Sequence, residues 1–278
     1  MTSPLPLHGT AGFVTGGGSG IGLGAAAALI ADGMSITVMG RNEEKLESAA
    51  ESLRAAAPDG VTVATFAGDV TDEATVAAAV AAAAAITGKL DACVAAAGDG
   101  TLGPVIAMPA DEWNRVIGVS LTGVFLTVKH AGASMARTGG GSIVAVSSVA
   151  SNTTHRFMAP YCVAKAGVDM LVKTTADELG QVGVRVNSVN PGIIRTDLVA
   201  MITPDDSVGQ SYLANMPISR FGEVDDVAPA IRYLCGPESS FVTGVNLAID
   251  GGHHLRTGPN YYEWASGLYG AAADGHVD

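Results

Sequence analysis

Positive charge is scarce in this sequence. Only 15 of the 278 residues are Lys or Arg, against 27 Asp or Glu, which gives a formal charge of −12 at neutral pH. A surface of this sign repels nucleic acid and anionic membranes. We therefore expect a small-molecule partner, with no nucleic acid and no membrane.

Cysteine is also scarce, and a targeting segment is not evident. Cys93, Cys162 and Cys235 are odd in number and far apart, which fits neither a disulfide framework nor a metal cluster. The first basic residue is Arg41, and no early apolar run follows a basic segment, so no secretion signal is predicted. The alanine-rich stretch 74–86 is too short to span a bilayer. These features predict a cytoplasmic protein.

Glycine and apolar residues are abundant instead. The 36 glycines are too many for a plain helical bundle. The 48% hydrophobic content against 15% charged residues excludes a disordered chain. Short β-rich runs alternate with alanine-rich helical stretches, as in βαβ units around a parallel sheet. We predict an α/β fold, a Rossmann-type doubly wound parallel sheet of about seven strands with helices on both faces.

The predicted domain covers residues 1–252, with a flap at about 196–220, and residues 253–278 form a C-terminal extension. The predicted strands lie near 11–15, 35–39, 61–66, 90–96, 142–147, 184–189 and 245–249. The predicted helices lie near 20–32, 43–57, 73–87, 110–136, 160–181 and 224–235.

The segment "FVTGGGSGIG" leads from the first strand through a glycine cluster into a helix. Glycines let the backbone approach a pyrophosphate closely, and the amides of a helix N-terminus favour its negative charge. The order of strand, glycine loop and helix predicts dinucleotide binding.

A tyrosine and a lysine lie four positions apart in "PYCVAK", at Tyr161 and Lys165. On a helix they share a face, where the ammonium would stabilise a phenolate and lower its pKa. Many amphipathic helices carry such a pair without chemistry. Ser148, however, ends the apolar strand "SIVAVSS", and parallel sheets bind ligands beyond the carboxyl ends of their strands. Ser147 is less favoured, because adjacent strand residues face opposite sides.

Several motifs occur in a fixed order along almost the whole chain. They are "TGGGSGIG" at 15–22, "GDV" at 68–70, "AAAG" at 95–98, "YCVAK" at 161–165, "NPGIIRT" at 190–196 and "AIDGG" at 248–252. By these motifs the sequence resembles the short-chain dehydrogenase/reductase family.

The resemblance implies an NAD(P)-dependent oxidoreductase that interconverts a secondary alcohol and a ketone or aldehyde. A dehydratase or epimerase on the same scaffold stays open, because fold does not fix reaction. So does a non-catalytic NAD(P)-binding regulator. An acyl group on an acidic carrier protein is a weaker alternative, because such a carrier calls for a basic docking patch.

The resemblance also implies roles for individual residues. Tyr161 transfers the proton, Lys165 lowers its pKa and binds the nicotinamide ribose, and Ser148 polarises the carbonyl or hydroxyl. The implied cofactor-binding residues are Gly16, Ser19, Gly20, Ile21, Arg41, Asp69, Val70, Ala96, Ala97, Gly98, Tyr161, Lys165, Pro191, Gly192, Ile194 and Thr196.

The end of the second strand bears on the choice of cofactor. An acidic residue there would bind the ribose 2′-hydroxyl, whereas this chain has Gly40 followed by Arg41. A guanidinium suits a 2′-phosphate, so NADP(H) is favoured. NAD(H) stays the alternative, because Ser19, at the second position where a cation would bind the phosphate, is uncharged.

Two positions depart from the family pattern. In "VSLTGVF", Ser120 replaces the asparagine that supports a proton-relaying water, so Ser120 is a candidate relay position with a shorter reach. In "AAAG", Ala95 and Ala96 replace two asparagines. We expect a backbone contact to the cofactor near 96–98 and a different local brace for this strand.

The flap is apolar and predicts a hydrophobic substrate and a lid that excludes water. Its apolar residues are Leu198, Val199, Met201, Ile202, Leu213 and Met216. His155 is a candidate substrate contact, with a solvated or structurally bonded loop histidine as the alternative. His253 and His254 lack a third ligand at suitable spacing, so no metal site is predicted.

The C-terminal extension carries four of the 14 aromatic residues of the chain, Tyr261, Tyr262, Trp264 and Tyr269. We expect this cluster to be buried over the active-site mouth or against a neighbouring subunit. The family resemblance implies a homotetramer or a dimer, formed through the helices near 110–136 and 160–181 and the last strand.

Overall fold

The computed structural model describes residues 5–256 and 260–276, and its centre is a seven-stranded parallel sheet. The strands are β1 (Ala11–Thr15), β2 (Ser35–Gly40), β3 (Val63–Ala67), β4 (Ala92–Ala95), β5 (Gly141–Val146), β6 (Val184–Pro191) and β7 (Asn246–Ile249). Their order across the sheet is β3-β2-β1-β4-β5-β6-β7. The chain reverses its direction of winding between β1 and β4, and this confirms the predicted fold class.

The described residues form nine α-helices. They are α1 (Gly20–Ala31), α2 (Glu43–Ala56), α3 (Glu73–Ala85), α4 (Ala110–Ile117), α5 (Gly123–Arg137), α6 (Ala159–Leu179), α7 (Ser207–Asn215), α8 (Val224–Cys235) and α9 (Tyr262–Tyr269). Of these, α1, α2 and α8 cover one face of the sheet and α3, α5 and α6 cover the other. One apolar core lies under α1, α2 and α8, and the other lies under α3, α5 and α6. Burial of both sheet faces explains why the strands are continuous apolar runs.

The predicted helix 110–136 corresponds to the continuous helical stretch Ala110–Arg137. A π-helical segment, Gly118–Thr122, lies within it between α4 and α5. Such wide turns inside helices frequently occur at functional sites. Ser120 lies in this segment, and its side chain is held away from the helix by bonds to the loop that follows β4.

The bounds of six of the seven strands differ from the prediction by one or two residues at one or both ends. The strand predicted at 61–66 begins at Val63, because Val61 N donates to Pro58 O in the preceding turn. The strand predicted at 90–96 is limited to Ala92–Ala95.

The stretch Ala110–Arg137 is, by length and composition alone, long and apolar enough to cross a membrane. Of its most apolar window, 56% is buried inside the protein, and α5 packs against α3, α6 and the sheet. Core helices of globular proteins meet the same criterion, so the stretch is accounted for by the core.

The flap predicted at 196–220 adds no strand to the sheet. It contains a short 3-10 turn, Asp197–Val199, and α7, which starts at the cap that Asp206 provides for Gly209 N. Met216 is buried with Ile193 and Phe221 in a small separate core, whereas Met201 is almost fully exposed.

The expected burial of the C-terminal aromatic residues is not found within the chain. Tyr261 packs on Trp264 with ring centroids 5.6 Å apart, yet both are exposed, and so are Tyr262 and Tyr269. The hydroxyl of Tyr262 donates to Asp274 inside the extension itself. The part of the extension from Tyr261 to Asp274 is therefore a small local unit, and its packing on a neighbouring subunit stays a prediction.

Candidate active site

A groove of about 470 Å³ lies at the carboxyl edge of the sheet, between β1 and β4, where the strand order reverses. Every residue predicted to bind the cofactor lines it, from Gly16 in the glycine loop to Thr196 after β6. Ser148 lines the same groove. The structure thus brings together segments that lie up to 180 positions apart in the sequence.

The glycine loop fits a dinucleotide because it has no room for side chains. Gly16 has φ +67°, and a Cβ there would lie 2.9 Å from Ala97 N. A Cβ on Gly22 would lie 2.3 Å from Gly16 O. Gly20, Ile21 and Gly22 open α1 and also line the groove, so the positive end of the helix dipole is at the wall.

The expected substitute for the missing asparagine brace is Thr15. Its hydroxyl accepts hydrogen bonds from Ala96 N at 3.1 Å and from Ala97 N at 3.3 Å. Thr15 ends β1, and Ala96 and Ala97 follow β4, so one buried side chain joins the two strand ends beside the groove. Nothing in the sequence around Thr15 predicts that its hydroxyl bonds to the residues after β4.

Ser148 and Ser147 follow β5 and have different bonding partners. The Ser148 hydroxyl accepts from Ala150 N at 3.1 Å and lies on the groove wall. The Ser147 hydroxyl donates to Lys165 O at 3.1 Å and so fastens α6 to the strand. Both serines line the groove, so the preference for Ser148 over Ser147 stays a prediction.

Lys165 lies under the groove floor with its ammonium directed at the end of β5. Its Nζ donates to Val146 O at 2.8 Å and is 5.6 Å from the ring centroid of Tyr161. Burial lowers the pKa of Lys165 to about 8, and the carboxylate of Asp169 opposes this shift. A lysine so tuned can change its charge close to neutral pH.

The pKa of Tyr161 departs from the sequence expectation. Burial raises it above its usual value, and the neighbouring Ser148 hydroxyl acts in the opposite direction. In this arrangement the burial effect exceeds any lowering by Lys165. Tyr161 therefore holds its proton at neutral pH, which suits it to donate a proton to a developing alkoxide.

Ser120 is bonded to the loop after β4. Its hydroxyl donates to Asp99 O at 2.7 Å and accepts from Asp99 N at 2.9 Å. Both bonds anchor the backbone just beyond Gly98, which lines the groove. The relay role of Ser120 stays a prediction, because these bonds already use its proton.

His155, Tyr212 and His253 form an aromatic cluster from three separate segments. The ring centroids are 5.8 Å apart for His155 and Tyr212, 5.8 Å for His155 and His253, and 5.5 Å for Tyr212 and His253. Burial lowers the pKa of both histidines, so they are neutral at neutral pH. His155 is thus half-buried in a cluster and not solvated.

The third member of the aromatic cluster also has a shifted pKa. Burial raises the pKa of Tyr212 to about 12, and Tyr161 and Cys162 add to the shift by their charges. Within residues 5–256 and 260–276, no group of three or more His, Cys, Asp or Glu side chains could hold a metal ion.

The comparisons with known proteins agree with this geometry. The family model described as "Enoyl-(Acyl carrier protein) reductase" matches residues 16–254, most of the chain. The chain belongs to the short-chain dehydrogenase/reductase family. It is an NAD(P)-dependent oxidoreductase that interconverts secondary alcohols and carbonyl compounds.

Curated relatives support the activity at the level of the reaction. The cis-4-hydroxycyclohexanecarboxylate dehydrogenase of Sinomonas cyclohexanicum is 41% identical over 241 residues, 86% of this chain and 94% of that protein. The trans-4-hydroxycyclohexanecarboxylate dehydrogenase of the same organism is 38% identical over 243 residues, 86% of this chain and 91% of the relative.

Solved structures extend the likeness to the whole backbone. A short-chain type dehydrogenase/reductase from Mycobacterium ulcerans has a TM-score of 0.89 at 41% identity, covering 98% of this chain and 100% of its own. A 7α-hydroxysteroid dehydrogenase complexed with NADH and 7-oxo glycochenodeoxycholic acid has a TM-score of 0.83 at 31% identity. That alignment covers 91% of this chain and 98% of the steroid enzyme.

Proposed function

We propose that this enzyme interconverts a secondary alcohol and a ketone on an apolar six-membered ring, with NADP(H) as the preferred cofactor. One observation carries the proposal. Ser148, Tyr161 and Lys165 meet at the end of the groove whose wall continues into the apolar flap residues Leu198 and Val199. A substrate bound there has catalytic groups on one side and an apolar wall on the other.

In the direction of reduction, Ser148 and Tyr161 act on the carbonyl oxygen, and Lys165 acts on Tyr161. The Ser148 hydroxyl donates a hydrogen bond to that oxygen and polarises the carbonyl. The Tyr161 hydroxyl donates the proton as negative charge develops on the oxygen. The Lys165 ammonium stabilises the phenolate that remains. When bound, a nicotinamide cofactor held by the groove residues would supply the hydride.

Apolar residues and relatives together support a carbocyclic substrate. Leu198 and Val199 provide apolar contact area on the groove wall. Apolar walls bind a ring by dispersion and exclusion of water. Two of the relatives described above are named for hydroxycyclohexanecarboxylates.

The preference for NADP(H) is supported by the groove wall at the end of β2. Gly40 and Arg41 line the groove, so this position has a guanidinium and no carboxylate. A guanidinium can bind a 2′-phosphate in a bidentate manner. The Asp69 carboxylate, also on the wall, already accepts from the backbone and side chain of Thr71.

We further propose a cytoplasmic homotetramer or dimer formed through α5, α6 and β7. Phe125 on α5 and Val163 and Met170 on α6 are apolar and exposed, as is Phe241 before β7. Exposed apolar surface of this kind marks interaction sites. The fold over residues 1–252 would then form the catalytic unit, and residues 253–278 its extension.

A substrate screen tests the proposed function. Cyclohexanols and cyclohexanones with and without a ring substituent are compared with linear secondary alcohols of equal carbon number, each with both cofactors, by absorbance at the reduced nicotinamide band. We expect kcat/KM to be at least tenfold higher for the ring compounds, about 1.4 kcal/mol. Equal or higher values for the linear alcohols would contradict the proposed substrate class.

A further inference from the structure

The catalytic helix buries a carboxylate that the reaction scheme does not use. Asp169 lies on α6 one turn beyond Lys165, and it is only 6% exposed. A buried carboxylate is costly unless it is hydrogen-bonded or paired with a cation. Its partners therefore indicate why the chain has an acid at this position.

The hydrogen-bond partners of Asp169 are neutral. Its Oδ2 accepts from Asn190 Nδ2 at 2.7 Å, and its Oδ1 lies 3.3 Å from Ser188 Oγ. Ser188 Oγ in turn accepts from Asn246 Nδ2 at 2.7 Å. These residues come from β6 and β7, so the network fastens α6 to the sheet but contributes no positive charge.

Asn190 connects Asp169 to the catalytic serine. Its Nδ2 lies 3.3 Å from Ser148 O and 2.8 Å from Ser151 Oγ. Asn190 also directly precedes Pro191 and Gly192, which line the groove. One amide thus connects α6, the end of β5 and the end of β6, the three elements on which the reaction depends.

Two lysines of α6 lie four positions from Asp169, the buried Lys165 before it and the exposed Lys173 after it. Lys165 shares a helix face with Asp169 and lines the groove. Their charges interact, since Asp169 raises the pKa of Lys165 against the effect of burial. The other titratable groups around this centre are Tyr161 and Cys162 on α6 and Tyr212 on α7. The Asp99 carboxylate, from the loop after β4, is paired with Arg115.

We propose that Asp169 is a positioning residue for catalysis. It holds Asn190 against the backbone of Ser148, just after β5, and it places a negative charge one helical turn from Lys165. This inference rests on the proposed roles of Ser148, Tyr161 and Lys165. It assigns to Asp169 two separable effects. The hydrogen bonds fix geometry, and the charge keeps Lys165 protonated to higher pH.

The test is the pH profile of ketone reduction from pH 6 to pH 10 for wild type and Asp169→Asn. The reaction needs the ammonium, so its rate is lost as pH rises through the pKa of Lys165. Asparagine removes the charge but keeps the shape. We expect the alkaline limb to move down by about one pH unit, with roughly tenfold lower rate above it.

Two control variants separate charge from structure. Ser188→Ala removes a neutral member of the network, and Asp177→Asn removes an exposed acid from the same helix. Both are expected to keep the wild-type alkaline limb. An unshifted limb in Asp169→Asn, whatever its rate, would overturn the proposal, and so would an equal shift in Asp177→Asn.

Two further measurements cover the remaining cases. If Asp169→Asn does not fold, Asp169→Glu keeps the charge while displacing the bonds, and it should lower the rate with an unshifted limb; a shifted limb would overturn the proposal. The dissociation constant of the reduced cofactor is followed by protein fluorescence over the same pH range. Its rise with pH should begin at a lower pH in Asp169→Asn than in wild type. This binding readout still tests Asp169 if wild type reduces no ketone, a result that would contradict the proposed function alone.

Discussion

The ammonium of Lys165 lies 5.6 Å from the ring centroid of Tyr161, and it donates a hydrogen bond to Val146 O at 2.8 Å. The lysine is therefore coupled to the end of β5 as well as to the tyrosine on its own helix. Its burial lowers its pKa to about 8, while burial raises the pKa of Tyr161. As free side chains, tyrosine loses its proton at a slightly lower pH than lysine does, whereas here Lys165 loses its proton first. The charge of Lys165 is therefore sensitive to pH close to neutrality.

The first prediction concerns stability and pH at Lys165. A base whose folded pKa is depressed binds fewer protons in the folded than in the unfolded state between about 8 and 10.5, so stability rises with pH in that window. Wild type should therefore gain stability relative to Lys165→Met by about 1 kcal/mol per pH unit, about 3 kcal/mol in all. Urea unfolding at pH 7 to 10 measures the difference, and a constant difference would contradict the depressed pKa.

The second prediction concerns the brace at Thr15. Thr15→Val keeps the side-chain shape but leaves Ala96 N and Ala97 N without their acceptor, so we expect a loss of about 1–3 kcal/mol in the free energy of unfolding. Weaker cofactor binding should accompany it, since both residues line the groove. The matched control is Thr37→Val on β2, whose buried hydroxyl has no hydrogen-bond partner among the described residues. Equal losses in the two variants would contradict the brace.

The order of strands and helices can be predicted from short-range sequence patterns, whereas several parts of the site cannot. The order of strands, helices and motifs predicts the sheet and the groove, because periodicity and glycine placement are local properties. The brace at Thr15, the network around Asp169 and the cluster of His155, Tyr212 and His253 join segments far apart in sequence. A threonine or an aspartate gives no local signal of a partner that only the folded chain brings near.

The π-helical segment shows the same limit within one element. The stretch 110–136 has a continuous helical pattern, and the departure at 118–122 depends on the bonds of Ser120 to Asp99 across the groove floor. The aromatic residues of the C-terminal extension were expected to be buried because apolar rings avoid water. Within the chain their helix is too short and too peripheral to reach the core.

The third prediction concerns Ser120. If its role is to hold the Asp99 backbone, Ser120→Ala should lower the free energy of unfolding by about 1–2 kcal/mol and leave the solvent isotope effect on kcat unchanged. Ser134→Ala on α5, another buried serine, is the control for loss of a hydroxyl. A large fall in kcat with a changed isotope effect and unchanged stability would assign Ser120 to the proton relay instead.

The fourth prediction concerns Arg41 and the cofactor. Arg41→Ala should raise the dissociation constant of NADPH by about tenfold or more and change that of NADH less than twofold, because in the proposed complex the guanidinium would contact only the 2′-phosphate. Isothermal titration with both cofactors gives the two constants. The control is Arg54→Ala, an exposed arginine of α2 that pairs with Glu47. Unchanged NADPH affinity in Arg41→Ala would remove the argument for NADP(H).

The most direct test of the central claim is ketone reduction by Tyr161→Phe, with the dissociation constant of the reduced cofactor measured on the same sample. Phenylalanine keeps the ring and removes the proton donor. The account predicts a fall in kcat of at least about 10²-fold with cofactor binding changed by less than about threefold. Retention of wild-type turnover, with cofactor binding intact, would contradict the assignment of Tyr161 as the proton donor.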